Sequence, residues 1–147
     1  MTNTGYIHIK KSFSYILIMI FITCLSSACT HFQGPSGDLY GRWHLERIEA
    51  DNMEAPQQTG DLYWSFQTQV IYMQCDKGEH EFAQAYGIFR LEDNTLFLDF
   101  PENTPALAQT GLGRQNALQV LKITGKELTL LYNPTPDSSL TYYLRKW

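Results

Sequence analysis

Cysteine is nearly absent from the part of this chain that can fold. The 147 residues hold three cysteines. Cys24 lies in an apolar N-terminal run and Cys29 directly behind it, which leaves Cys75 alone in the remainder. A single thiol makes no internal disulfide, so the core has to hold without covalent staples. Cys75 follows Ile71 and Met73 at alternate positions, which predicts a buried, inert side chain. Catalytic signatures are missing as well. There is no Cys-x-x-Cys or His-Glu-x-x-His, Ser12 and Ser65 lack a nucleophile elbow, and T-G-L-G-R at 110–114 lacks the ending of a phosphate loop. No enzyme class and no cofactor is indicated. His44 with Glu46, and His80 with Glu81, come without a third ligand and read as solvated surface, so no metal site is expected. Basic excess is also lacking: setting aside Lys10 and Lys11 with the N-terminal segment takes the 11 bases to 9, against 15 acids. No basic excess is left to neutralise phosphates, which argues against a nucleic-acid partner.

What is present begins with an address. Residues 1–12 carry Lys10 and Lys11 and no acid, 13–25 form a nearly unbroken apolar run, and Ser26-Ser27-Ala28 supplies small residues before Cys29. That is the order of a secretory signal. The run of 13 residues is shorter than the roughly 20 that cross a bilayer, so a permanent span is not expected. L-S-S-A-C at 25–29 resembles the lipobox of bacterial lipoproteins. The resemblance implies cleavage before Cys29, fatty acylation of its thiol (palmitate and its kin) and a membrane partner through the lipid. Ser26 stands where that family prefers leucine, and Ser26 with Ala28 also suits plain cleavage after Ala28. Thr30 is not the aspartate associated with inner-membrane retention, so the resemblance implies the outer membrane of a bacterial envelope. The expected organisation is a signal peptide at 1–28, a lipidated cysteine and flexible tether at 29–38, and one domain at 39–147.

The domain reads as strands. Residues 39–48 open it, and a polar segment with Pro56 and Gly60 follows at 50–60. Residues 61–68 alternate Leu62, Trp64 and Phe66 against Tyr63, Ser65 and Gln67, and 70–75 continue as a second half-buried strand. Asp76 to Glu79 reads as a turn. Over 81–91 the expected faces are Phe82, Tyr86 and Ile88 against Phe89 and Leu91, with a bulge or bend at Gly87. Asp93-Asn94 suits a tight hairpin into 95–100, where Leu96, Leu98 and Phe100 share a face. Within 101–114, Thr104-Pro105 predicts one helical turn through Gln109. Residues 116–124 and 127–132 form a hairpin about Gly125-Lys126, ended by Pro134 and Pro136. Residues 140–147 close the chain, with Leu140, Tyr142 and Leu144 on one face. Eight short strands without a long helix predict an all-β antiparallel barrel or sandwich.

Gly41-x-Trp43 at the head of the first strand is similar to the Gly-x-Trp signature of lipocalins, and G-R-W-H-L-E-R-I looks like the start of small bacterial lipocalin-like lipoproteins. The resemblance implies an eight-stranded antiparallel lipocalin-like barrel. It makes Gly41 and Trp43 structural and places an arginine of the last strand, here Arg145, over the tryptophan, with Lys146 and Trp147 beside it should the parity differ. The Thr-Asp-Tyr segment of lipocalins is missing. An eight-stranded barrel either fills with side chains or holds one small ligand. For a small hydrophobic ligand the expected wall residues are Trp64, Phe66, Tyr86, Ile88 and Phe97. For a filled, non-enzymatic interaction module, the loops 50–60 and 101–114 would meet a protein partner. Alternation fails between Leu45 and Ile48, which predicts a bulge or bend near Glu46-Arg47.

Overall fold

The computed structural model describes residues 37–147. The expected signal peptide, the lipidation of Cys29 and all but the last two tether residues lie outside the described residues. Eight strands follow in order: β1 (Gly41–Asp51), β2 (Asp61–Gln67), β3 (Val70–Asp76), β4 (Phe82–Glu92), β5 (Thr95–Asp99), β6 (Gln115–Ile123), β7 (Glu127–Thr135) and β8 (Ser138–Lys146). Each pairs antiparallel with the next, and β8 pairs with β1, so the sheet closes into a barrel. Closure leaves no free sheet edge, which a small domain otherwise has to shield.

The chain enters through one 3-10 turn, Gly37–Leu39. Residues 37 and 38, expected to belong to the tether, are therefore folded. The cause is Leu39, whose side chain is fully buried beneath the barrel, and whose carbonyl accepts a hydrogen bond from Trp43 Nε1 at 2.8 Å. Gly41 has φ +120°, and a Cβ there would stand 2.8 Å from Lys146 Cε. Glycine is needed at this sharp entry for both reasons.

The expected irregularity in β1 is present. Leu45 pairs with Leu144 and Arg47 with Tyr143, so Glu46 is the extra residue of a bulge. The bulge rephases the strand: Leu45 is buried before it, and Ile48 packs on the same core after it. In β2 and β3 the alternation is as read, with Leu62, Trp64, Phe66, Ile71, Met73 and Cys75 all pointing inward.

β4 has the opposite phase to the one expected. Ala83, Ala85 and Phe89 are buried, whereas Phe82, Tyr86 and Ile88 are exposed on the outer wall. Register with β3 decides the phase. Inward Met73 and Cys75 pair with Ala85 and Ala83, so the small side chains share their face. Gly87 marks a close approach, not a bulge: a Cβ there would meet Asp99 O and the Phe100 ring at 2.6 Å.

β7 also differs from expectation by running past Pro134 to Thr135. Its pairing with β8 is irregular between Tyr132 and Thr135, which is where a residue without an N–H is tolerated. Thr135 then pairs with Ser138 across Pro136-Asp137 in a tight turn.

The barrel has two unlike ends. The sealed end carries the entering 3-10 turn, the β2–β3, β4–β5 and β6–β7 hairpins, and the C-terminus of β8. The mouth carries the connections 52–60, 77–81 and 100–114 and the β7–β8 turn.

Candidate functional site

Three regions compete as the working site: the interior, the mouth and the outer wall. Inside, Trp43, Trp64, Phe66, Phe100 and Tyr142 are fully buried. Trp64 and Tyr142 rings lie 5.4 Å apart at 49°, and Phe66 meets Phe89 edge-on at 5.1 Å. These are favourable aromatic geometries, each adding about 0.5–1.5 kcal/mol beyond area burial. Among the described residues, one buried side-chain polar atom makes no hydrogen bond: the indole N–H of Trp64.

The mouth is stoppered by the connection 100–114. Thr104 caps the short helix α1 (Pro105–Ala108) by accepting from Leu107 N at 3.3 Å, Pro105 takes the first helical position, and Gln109 ends it. This is the helical turn predicted from Thr104-Pro105. α1 packs on β4 and β3, over the wall that Ala83 and Ala85 keep low. Ala106, Leu107 and Leu112 are buried with it.

The stopper's polar atoms are paired. Tyr142 Oη donates to Thr110 O at 2.8 Å, and Thr110 Oγ1 donates to Leu107 O at 2.7 Å. Gln109 Oε1 accepts from Thr59 N at 3.0 Å and from Cys75 Sγ at 3.1 Å. The Asn116 amide clamps Gly113 in both directions, at 2.9 and 2.8 Å. Burial pushes the Tyr142 phenol far above its ordinary value of 10.0, so it stays protonated and donating. Cys75 is fully buried beneath this network, as an inert thiol would be.

At the sealed end the cation over Trp43 is Lys146, whose Nζ lies 4.7 Å from the ring centroid. This corrects the assignment to Arg145, which points outward to Glu46 Oε1 at 2.9 Å. Parity is the reason: Leu140, Tyr142 and Leu144 face inward, and Lys146 continues their series. The Lys146 ammonium also donates to Tyr40 O, and to Asp38 O at 3.4 Å. Desolvation holds its pKa below the ordinary lysine range, partly offset by Asp38.

Of the expected wall residues, Trp64 and Phe66 are inside and Tyr86, Ile88 and Phe97 are outside, so the five do not form one site. Among the outer three, Ile88 shares one cleft with Phe97 and an adjoining one with Tyr86. A cleft of about 500 Å³ is lined by Ile88, Arg90, Phe97, Asp99 and Gln115, among others. An adjoining cleft of about 560 Å³ shares Ile88 and Asp99 and adds Tyr86, Pro101 and Arg114. Arg90 lies over the Phe97 ring at 5.1 Å, and Tyr86 stacks on Tyr72 at 4.7 Å. The groove is thus lined by apolar and charged side chains together. Sequence reading missed Arg90, Asp99 and Arg114, because no spacing rule brings together residues from β4, β5 and the stopper. Among the described residues, no three His, Cys, Asp or Glu side chains gather to hold a metal ion. No described helix is long and apolar enough to cross a membrane.

A closed eight-stranded barrel, entered through a 3-10 turn and plugged by a Gly-x-Trp tryptophan, is matched by a known family. The lipocalin-like domain aligns with residues 23–147. The chain belongs to the lipocalin-like domain family. Two solved structures share this lipocalin-like fold. An uncharacterized protein from Bacteroides eggerthii is 17% identical with a TM-score of 0.59, over 74% of this chain and 99% of that one. A lipocalin-like protein from Bacteroides uniformis is 15% identical with a TM-score of 0.55, over 76% of this chain and 100% of that one. At these identities the likeness is one of fold. No curated protein matches the chain.

Proposed function

We propose that this lipocalin-like protein is a non-enzymatic envelope lipoprotein, held to the bacterial outer membrane by acyl chains on Cys29, whose barrel works from its outside. The observation that carries this reading is the interior crowded by the fully buried rings of Trp43, Trp64, Phe66, Phe100 and Tyr142, under a mouth whose stopper is tied down by Tyr142 and Gln109. With the inside so crowded, the groove of Tyr86, Ile88 and Phe97, lined also by Arg90, Asp99 and Arg114, is the surface that a partner protein would meet. Acyl chains anchor because each buried methylene contributes about 0.8 kcal/mol, and two or more chains make release slow. Intact mass of the native protein tests the anchor: a diacyl or triacyl addition on Cys29 is expected, and a plain N-terminal cysteine would end the reading. A photo-crosslinking residue placed at Ile88 tests the groove, with adducts expected there and none from the same residue at Asp137.

A second reading is favoured by the unpaired Trp64 N–H, which a buried acceptor on a small hydrophobic ligand would satisfy. It requires the stopper to leave the mouth. Native mass spectrometry of undenatured protein separates the two readings. A retained small molecule that is lost in Trp64→Phe supports the interior ligand; a bare mass supports the filled barrel.

A further inference from the structure

Three separate properties divide the molecule between its ends in the same sense. The first is exposed apolar surface. Trp147 is 73% exposed, Tyr40 and Leu121 are 52% exposed and Leu91 is 43% exposed, and all four lie at or beside the sealed end. Val70 in the β2–β3 hairpin joins them, Tyr86 and Ile88 lie on the outer wall between the ends, and the mouth connections show Met53, with Phe82 at the foot of β4.

The second is charge. Every connection at the mouth carries acid: Glu54 in the first, Glu79 and Glu81 in the second, Glu102 in the third and Asp137 in the fourth. Lys77 and Arg114 are the bases among them. At the sealed end the balance turns. Arg42, Lys122, Lys126, Arg145 and Lys146 stand there against Asp38, Glu92, Asp93 and Glu127. Glu127 is paired with Lys122, Glu92 with Arg90 and Arg145 with Glu46, which leaves Arg42, Lys126 and Lys146 against Asp38 and Asp93.

The third is the point of entry. Gly37–Leu39 brings the chain in at the sealed end. Gly37 stands eight residues after Cys29, a reach of at most about 28 Å when fully extended.

We infer that the sealed end is a lipid-facing surface, with Trp147, Tyr40, Leu121 and Leu91 seated at the headgroup level and the acidic mouth turned away from the bilayer. This rests on the lipid-anchor reading above and adds the orientation to it. Tryptophan and tyrosine favour the membrane–water boundary because an apolar ring and a polar tip are served at once. Basic side chains beside them are attracted to anionic lipid, and the acids of the mouth are repelled by it. Trp147 is placed for this role: its backbone N–H is fixed to Arg42 O at 2.8 Å, and its ring meets Tyr63 and His44 at 5.3 and 6.2 Å while staying largely open. The groove at Ile88 and the mouth are then presented to the aqueous side.

Tryptophan fluorescence tests the surface, because Trp43 and Trp64 are fully buried and Trp147 alone is exposed. The full chain, purified with its native N-terminus, is reconstituted in phosphatidylethanolamine–phosphatidylglycerol vesicles with and without brominated acyl chains. Bromine is expected to lower the Trp147 emission about twofold, iodide to lose access to it, and Trp147→Phe to remove both effects. If intact mass shows the lipid on Cys29 while Trp147 stays open to iodide and blind to bromine, the surface fails and the anchor stands. If the mass shows no lipid, the anchor fails. The chain is then held on nickel-chelating lipid by a hexahistidine tag in place of residues 1–29. Bromine quenching in that arrangement upholds the lipid-facing surface, and its absence removes it.

Discussion

The two ends of this barrel are closed by different physics. At the sealed end, side chains do the work: Trp43 fills the bore, Leu39 packs beneath it, and Lys146 lies over the indole. At the mouth a crossing segment does it, seating Ala106, Leu107 and Leu112 in the core while hydrogen bonds from or to Tyr142, Gln109 and Asn116 hold its backbone and its neighbours. Packed side chains resist opening because every ångström of gap forfeits contact energy and leaves a void. A hydrogen-bonded segment is different, since water can replace its partners once it lifts. The sealed end is therefore expected to open only on global unfolding, and the mouth to open locally.

The widest way to break this contrast is Trp43→Ala. Removing the ring leaves a cavity and an unpaired Leu39 carbonyl, so the expected loss is about 3–5 kcal/mol in urea unfolding. A loss below about 1 kcal/mol would show that the bore is not held by this side chain.

At the mouth the largest single effect is expected from Tyr142→Phe. It keeps the ring against Trp64 and strands the Thr110 carbonyl, at a cost of about 1–3 kcal/mol. The pH dependence gives it a signature. Because the folded-state pKa is raised, the phenol's contribution is complete below the ordinary value of 10.0 and is lost as pH rises above it, where the unfolded chain releases a proton that the folded chain keeps. Stability of the native protein should fall steeply above that pH, and the variant should fall less. Equal alkaline limbs for the two would locate the titration elsewhere.

Gln109→Ala sharpens the contrast by removing a buried polar link of the stopper. It unpairs Thr59 N–H and the Cys75 thiol and is expected to cost about 1–2 kcal/mol. The more telling readout is local: with Cys24 and Cys29 both replaced by serine, a thiol reagent should label Cys75 about tenfold faster than in the parent, consistent with roughly 1.4 kcal/mol less cost to open the mouth. Unchanged labelling, with Cys75 exposed only as fast as the whole protein unfolds, would make the mouth as fixed as the sealed end.

The same contrast explains how much could be read from the sequence. Strands β2 and β3 were legible because Leu62, Trp64 and Phe66, then Ile71, Met73 and Cys75, alternate with a mostly polar outer face. The Glu46 bulge was legible because a broken alternation has few other causes. Thr104-Pro105 was legible because a capping side chain before a proline is a local signal, and a helix start is a local event. β4 misled because both faces are apolar and the larger side chains, Phe82, Tyr86 and Ile88, point outward. The connection 77–81 is too long to fix parity, so only the register with β3 decides which face is inside. The groove was invisible for a related reason: Arg90, Asp99 and Arg114 meet across three separate elements. The lock of Gln109 on Thr59 and Cys75 spans 50 and 34 residues, and no periodicity records contacts of that range.

Lys146 is the position where the sequence held the answer and a family habit obscured it. Alternation from Leu140 through Tyr142 and Leu144 leads directly to Lys146, and an ammonium can cover an indole as a guanidinium does. The two residues at the end of β8 can be separated by a paired substitution. Lys146→Met removes the cation and keeps most of the apolar stem, so the expected loss is about 1 kcal/mol, from the ring contact and the bonds to Tyr40 O and Asp38 O. Arg145→Ala removes an exposed pair with Glu46 and is expected to change stability by about 0–1 kcal/mol, diminishing further in salt. Equilibrium urea unfolding at low and high salt measures both. The Lys146 effect should persist where the Arg145 effect fades, since Lys146 is half-buried against Trp43 and Arg145 faces water. The reverse order would return the cover of Trp43 to Arg145 and make the sealed end a surface ion pair instead of a packed plug.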